Sequence, residues 1–249
     1  MEATTNRERQ LAQALLALSD TYAAEFDPLH LFQRLVLTCQ DLLDVDAAGV
    51  MMADAHGRLR TMATTDEDAV FAELLRLQNG DGPSTDSYRS GELVSVPHIA
   101  AEYERWPQLV TAMIEAGYDS LQAIPMRLQE RPLGALTLLR RSPGRLNDDD
   151  VLVAQALADS SVLALMHWSA EPAPVDDVIT RVQSAIAAKA TLEIAKGMVA
   201  QSADTTIGEA ARLLTAYVNG RRVRLTETVQ ALVTRSMAPA AVVEAQPRK

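Results

Sequence analysis

The 249-residue sequence contains one cysteine, Cys39. A lone cysteine makes no intrachain disulfide, and one inside an apolar helical pattern reads as a small buried hydrophobe. A disulfide-stapled fold is excluded, and a reducing cytoplasm fits. No run of about 18 apolar residues occurs, so no membrane-spanning helix is expected. The opening MEATTNRERQ carries charges and no apolar core, so no signal peptide is expected. Histidine is scarce: none of His30, His56, His98 and His167 stands at ligand spacing from Cys, Asp or another His. The run Asp148–Asp150 lacks EF-hand spacing and reads as a helix start. Ser84, Ser87, Ser90 and Ser95 cluster near turn residues, but no G-x-S-x-G is present and no histidine has a traceable orienting partner. The chain therefore reads as non-enzymatic, with no metal and no cofactor.

What is present is ample apolar material, 48% of residues, enough for one large or two ordinary domains. Charge is uneven. Residues 1–174 hold 13 basic and 26 acidic side chains, whereas residues 175–237 hold 8 and 6, within a total of −10. An acidic body with a mildly basic end is the asymmetry expected when one module meets a polyanion.

Taken in order, Arg7–Glu25 has a helical stripe through Leu11, Leu15, Leu18 and Tyr22. Pro28 opens a second helix with Leu31, Leu35, Thr38, Cys39 and Leu42 inward. Ala47–Ala53 and Leu59–Thr64 read as strands turned at His56-Gly57. Asp66–Leu77 returns to helix, with Val70, Leu74 and Leu77 on one face. The GDGP cluster at Gly80–Pro83 is a turn. A short helix Ser84–Ser90, a strand Leu93–Val96, a helix Tyr103–Gly117 and strands Ser120–Leu128 and Leu133–Leu139 follow. The last two are joined by a turn starting at Arg131-Pro132. Asn147 then opens a helix with Val151, Ala154, Leu157, Val162 and Leu165 on its stripe. Five or six strands with several tight turns imply an antiparallel or mixed sheet packed against helices, an α+β fold.

Glu171–Pro174 breaks the helical pattern between two modules. Beyond it, Ile179, Val182, Ile186, Ala190, Ile194 and Met198 recur every three or four residues. Ile207, Ala210, Ala211, Leu214, Tyr217 and Val218 form a second stripe, and Leu225, Val229, Leu232 and Val233 a third. Thr206 with Glu209 spells a capping box, and Asn219-Gly220 is placed to close the second helix. One long helix and two short ones predict a three-helix bundle on a stalk. Pro239–Lys249 lacks a packing pattern and is expected to be disordered.

Two stretches resemble known families. GPSTDSYRSGELVSVPHI, RWPQL, GYDSLQAIPMRL, PLGALTLLRRSP and LNDDDVLVAQALAD, spread over Pro28–Met166, resemble a GAF domain. AKGM at Ala195–Met198, EAARLLTAYVN at Glu209–Asn219 and RLTETVQALV at Arg224–Val233 resemble an ANTAR domain, a three-helix RNA-binding module of bacterial transcription antiterminators. The arrangement recurs in actinobacterial regulators, and the arginine-rich, lysine-poor composition suits such a source. The resemblances imply an N-terminal helix over residues 1–27 that serves dimerisation and a GAF sensory domain over 28–170. An ANTAR region with its stalk helix would cover 171–237, and a tail 238–249.

The GAF resemblance places a small-molecule pocket beside the sheet, lined by Ser84, Tyr88, Tyr103, Trp106 and Ser120. Trp106 and Tyr103 read equally well as partly buried helix residues. Some GAF domains use a cysteine for redox chemistry or to hold a chromophore. Here Ser84 follows Gly82-Pro83 and Cys39 lies elsewhere, which argues against both uses. The ANTAR resemblance implies RNA contact through Lys189, Lys196, Arg212, Tyr217, Arg221, Arg222 and Arg224. Lys189, Glu193 and Lys196 are spaced to share one helix face, and the arginines follow Asn219-Gly220, where a loop would present them to phosphates. Tyr217 suits stacking on an unpaired base, or core packing one turn from Leu214. A solvated face is the plainer account of the basic residues. Ala200-Gln201-Ser202 and Thr215-Ala216 stand where family members carry more basic residues, which weakens the expected affinity. The expectation is a cytoplasmic homodimer in which the GAF module governs binding to hairpin loops in mRNA leaders. Its rival is a signalling protein whose helical end docks a protein partner.

Overall fold

Pro28 supplies a fixed φ and no N–H at a position where a helix needs neither a free φ nor a donor. Asp27 completes that start, its side chain accepting from the Leu29 amide at 2.9 Å. The computed structural model describes residues 2–19, 27–65, 69–167, 178–221 and 223–245. Within them the elements run α1 (Glu2–Ser19), α2 (Pro28–Leu42), β1 (Ala47–Ala53), β2 (Leu59–Thr64), α3 (Ala69–Leu77), α4 (Pro83–Ser90), β3 (Val94–Val96), a 3-10 turn (Ile99–Glu102) and α5 (Pro107–Glu115). They continue as β4 (Ser120–Leu128), β5 (Arg131–Arg140), α6 (Asp148–His167), α7 (Val178–Ala203), α8 (Ile207–Arg221), α9 (Leu225–Val233) and α10 (Ala240–Glu244).

The five strands form one antiparallel sheet in the order β2-β1-β5-β4-β3. Alternate side chains of a strand point to opposite faces, and both faces here are covered by helices. Ile124, Leu136 and Leu138 face α2 and α6 through Phe32, Leu35 and Leu157. Leu121, Ala123 and Leu139 face α3 and α5 through Leu74, Leu109 and Met113. Burial on both faces explains why AAGVMMA in β1 is apolar almost throughout. Gly134 in β5 is required by close approach, since a Cβ there would fall 2.1 Å from the Met51 carbonyl oxygen. Cys39 is buried in the α2 face of the core, and burial pushes its thiol up to about 12.

Several expectations shift. The helix expected over Tyr103–Gly117 starts only at Pro107, because a residue before proline is driven out of the helical region and Trp106 sits at φ −136°, ψ 64°. Arg131 and Pro132 already lie in β5, and the hairpin turns one step earlier with Gln129 at φ 54°. Val70 is exposed, and Phe71, Leu74 and Leu75 carry the α3 contact instead. The Glu171–Pro174 break lies outside the described residues.

The C-terminal helices pack around Leu192, Ala195, Val199, Leu214, Tyr217, Leu225, Val229 and Leu232. The buried stripe of α7 is rotated from the expected one: Ile179 and Ile194 are exposed, while Leu192, Ala195, Lys196 and Val199 face inward. Asn219 and Gly220 lie in the last turn of α8, which runs on to Arg221, and Gly220 does not adopt a positive φ. Thr206 does cap α8, its hydroxyl accepting from the Glu209 amide at 3.2 Å. The tail is not featureless: Ala240–Glu244 is helical, and Val242 fills a gap in the same core.

Nor is α7 a free stalk. Val178, Val182 and Ala185 at its start belong to the core shared with α2 and α6, while Leu192 onward belongs to the C-terminal core. Leu29 of α2 crosses in the other direction and joins the C-terminal core. Asp27 fastens the two: its second carboxylate oxygen accepts from the Thr226 amide at 2.7 Å, in the first turn of α9. One buried carboxylate thus caps two helices 199 residues apart in sequence.

Candidate functional site

The five residues expected to line a pocket beside the sheet do not converge. Ser84, at the start of α4, is buried in a polar knot. Its hydroxyl donates to Gln78 Oε1 at 2.5 Å and lies 2.7 Å from Thr137 Oγ1, while the Thr85 hydroxyl donates to the Gln78 carbonyl at 2.6 Å. Trp106 is buried in the α3–α5 layer, with the Arg105 guanidinium 4.2 Å from its ring centroid. Tyr103 is 57% exposed. Ser120 donates to the Ser142 carbonyl at 2.9 Å, and by strand alternation projects from the face opposite Leu121 and hence opposite Trp106. Tyr88 lines a small cavity. That cavity, of about 150 Å3, lies by the β1–β2 turn beside Arg131 and Ile179.

The basic set divides in two. Arg221, at the end of α8, is exposed and stacks its guanidinium 4.7 Å from the ring centroid of Tyr217. Arg224 at the N-terminus of α9 reaches Glu227 at 3.7 Å. Arg222 lies outside the described residues. Tyr217 is 8% exposed, with its hydroxyl 3.5 Å from Met237 Sδ, so the ring packs in the C-terminal core rather than standing on the surface.

Lys189, Lys196 and Arg212 instead line a cleft between α2 and the α7–α8 pair, with a volume of about 790 Å3. This cleft escaped the sequence reading, because its two walls come from segments more than 150 residues apart. Lys196 is 5% exposed, its ammonium 3.4 Å from Glu193 Oε1, while Lys189 sits 2.8 Å from the same oxygen. Burial is the largest single influence on the Glu193 carboxyl and raises it, but the charges and hydrogen bonds of Lys189 and Lys196 together outweigh burial and hold it below its usual range. Arg212 is exposed at the rim and pairs with Glu209 through two nitrogens. Among the described residues no group of three or more His, Cys, Asp or Glu is placed to hold a metal, and no helix is long and apolar enough to cross a membrane.

Residues 27–165 match the model of the GAF domain family. Among solved structures, the GAF domain of a phosphoenolpyruvate-protein phosphotransferase from Coxiella burnetii is 17% identical, with a TM-score of 0.51, covering 64% of this chain and 94% of that one. The corresponding Acinetobacter domain is 15% identical, with a TM-score of 0.49 over 72% and 91% of the two chains. A domain of a two-component sensor histidine kinase protein from Sinorhizobium meliloti is 19% identical, with a TM-score of 0.48 over 57% and 92%. At 17% identity the likeness to the Coxiella burnetii domain speaks to fold alone. No curated protein matches the sequence. The matched span ends at residue 165, ahead of α7.

Proposed function

The chain belongs to the GAF domain family, whose members are sensory input modules of signalling proteins, and from that premise we propose that it is a non-enzymatic, cytoplasmic regulator whose helical end binds RNA hairpins. The observation that carries this reading is the placement of cations. In a chain of net charge −10, Arg221 and Arg224 stand together at the α8–α9 junction, next in sequence to Arg222. A cluster of guanidinium groups matches phosphate oxygens in geometry and charge. The AKGM, EAARLLTAYVN and RLTETVQALV blocks, by their resemblance to ANTAR domains, make the polyanion an RNA hairpin and the outcome antitermination.

Transmission from input to output follows from α7. One helix contributes to both cores, so a displacement at Val182 in the GAF layer moves Leu192 and Val199 in the output layer. A packed interior does not absorb such shifts by compression.

The test is binding to hairpins recovered by cross-linking the protein to RNA in its own cells. Replacing Arg221, Arg222 and Arg224 together by Ala should lower affinity and flatten the dependence of log K on log salt by roughly 0.7–0.9 per lost phosphate contact. Thermal stability should barely move, since none of the three belongs to the C-terminal core cluster and substitutions outside a core usually cost within about 0.5 kcal/mol each. Unchanged affinity across salt in the triple variant would discard this RNA face. It would favour the rival, a protein-docking surface, for which Ile194, 54% exposed beside Met198 and Val233 in a groove of about 450 Å3, is the supporting observation.

A further inference from the structure

We propose that the cleft between α2 and the α7–α8 pair is a binding site for a small amphiphilic anion: an aromatic or aliphatic body carrying one phosphate, sulfonate or carboxylate. This goes beyond the RNA reading and does not rest on it.

The cleft has the size and placement of a ligand site, about 790 Å3 at a junction between two packed units. Its walls are apolar where Met62 and Leu192 line it, which suits a hydrocarbon body. The charged side chains that line it are of one sign. Lys189, Lys196 and Arg212 line it, with His30 on the α2 wall, and none of the described lining residues carries a carboxylate. That bias opposes the balance of the chain, which has 33 acidic residues against 23 basic ones.

The carboxylates that touch these cations leave donors available. Glu193 contacts both ammonium groups through one oxygen, and Glu209 engages the guanidinium, yet neither lines the cleft. The Lys189 ammonium has three N–H donors and the Arg212 guanidinium five, more than these pairs consume.

The walls also explain what occupancy would do. Leu29 and His30 come from the GAF unit, and Lys189, Lys196 and Arg212 from the output helices, so an occupant touches both. Leu29 and Leu225 line the cleft directly beside the Asp27–Thr226 clamp, so the occupant would reinforce the same junction.

The experiment titrates the full chain with 1-naphthyl phosphate, with 1-naphthol as the neutral ring of equal shape, by calorimetry. Saturable binding at one probe per chain is expected, with 1-naphthol at least about tenfold weaker, the scale of one charge-assisted contact. Lys189→Met should weaken the probe by about tenfold or more, and Ala216→Trp, at an exposed position lining the cleft, should abolish binding by filling it. Lys196→Met should act like Lys189→Met; because Lys196 is buried, the partly exposed Lys189 and the surface Ala216 keep the test independent of folding at that site. The triple Arg221, Arg222, Arg224 variant should bind the probe like the parent, which separates this site from the RNA face. Equal affinity for the neutral ring, undiminished binding in Ala216→Trp, or no saturation up to about 10 mM would overturn the proposal.

Discussion

Tyr217 shows how one side chain can serve two surfaces at once. Its ring fills the C-terminal core beside Leu214 and Val218, while Arg221 lies over its outer face. Tyr217→Ala is therefore expected to melt the helical end, at about 3–5 kcal/mol, before any RNA effect can be read. Chemical denaturation followed by circular dichroism checks this; a variant that keeps its midpoint while losing RNA affinity would restore the base-stacking role. Spacing of three from Leu214 left both roles open, because a helical residue near the edge of an apolar stripe can turn either way. Lys196 was harder to place. A lysine suggests a solvated face, yet its alkyl stem lies along the buried stripe of α7 with the ammonium brought to the cleft.

Among elements, α2 and α9 meet at a single carboxylate. Asp27→Ala removes the cap of α2 and leaves the Thr226 amide without its acceptor, in a place where Asp27 itself is buried. Loss of a cap costs about 0.5–2 kcal/mol, and an unsatisfied buried donor about 1–3. The variant should lose roughly 2–4 kcal/mol in all, a fall in Tm of roughly 5–15 °C for a chain of this size. Amide exchange at Thr226 should accelerate with it, and unchanged exchange there would show that the clamp is not closed in solution. Pro28 announced a helix start; nothing local announced that the carboxylate before it would cap that helix and a second one. Strands β1, β2 and β4 were legible to the residue, because β-branched and apolar runs there are bounded by turn residues. The start of α5 was missed by four residues, since the aromatic rings of Tyr103 and Trp106, three apart, extend the helical spacing upstream of the single proline that resets it.

At the scale of the whole molecule, α1 and α6 are already packed on one another, with Arg7 paired to Asp150, and still present apolar surface outward. Leu152, 69% exposed, and Leu163 lie three turns apart on one side of α6, and Leu16 stands out from α1. A second copy covering this surface would give the homodimer expected from the sequence. Burying each leucine is worth about 1.5–3 kcal/mol, so Leu152→Glu with Leu163→Glu should convert a dimer into a monomer by sedimentation at micromolar concentration. A parent chain that sediments as a monomer would overturn that expectation.

Periodicity, turn residues and caps are local, and they settled the kinds of element, most of their bounds, and the division into a sheet-based unit and a helical end. Orientation is not local. Helix α7 carries apolar residues on two adjoining stripes, Ile194–Met198 and Leu192–Val199, and the sequence favours neither. Only the elements packed against α7 choose the second, and that choice carries Lys189 and Lys196 to a cleft whose other wall lies in α2. A charge read along the chain says what a residue can bind; which surface it belongs to depends on neighbours distant in sequence that exclude water from one side of it.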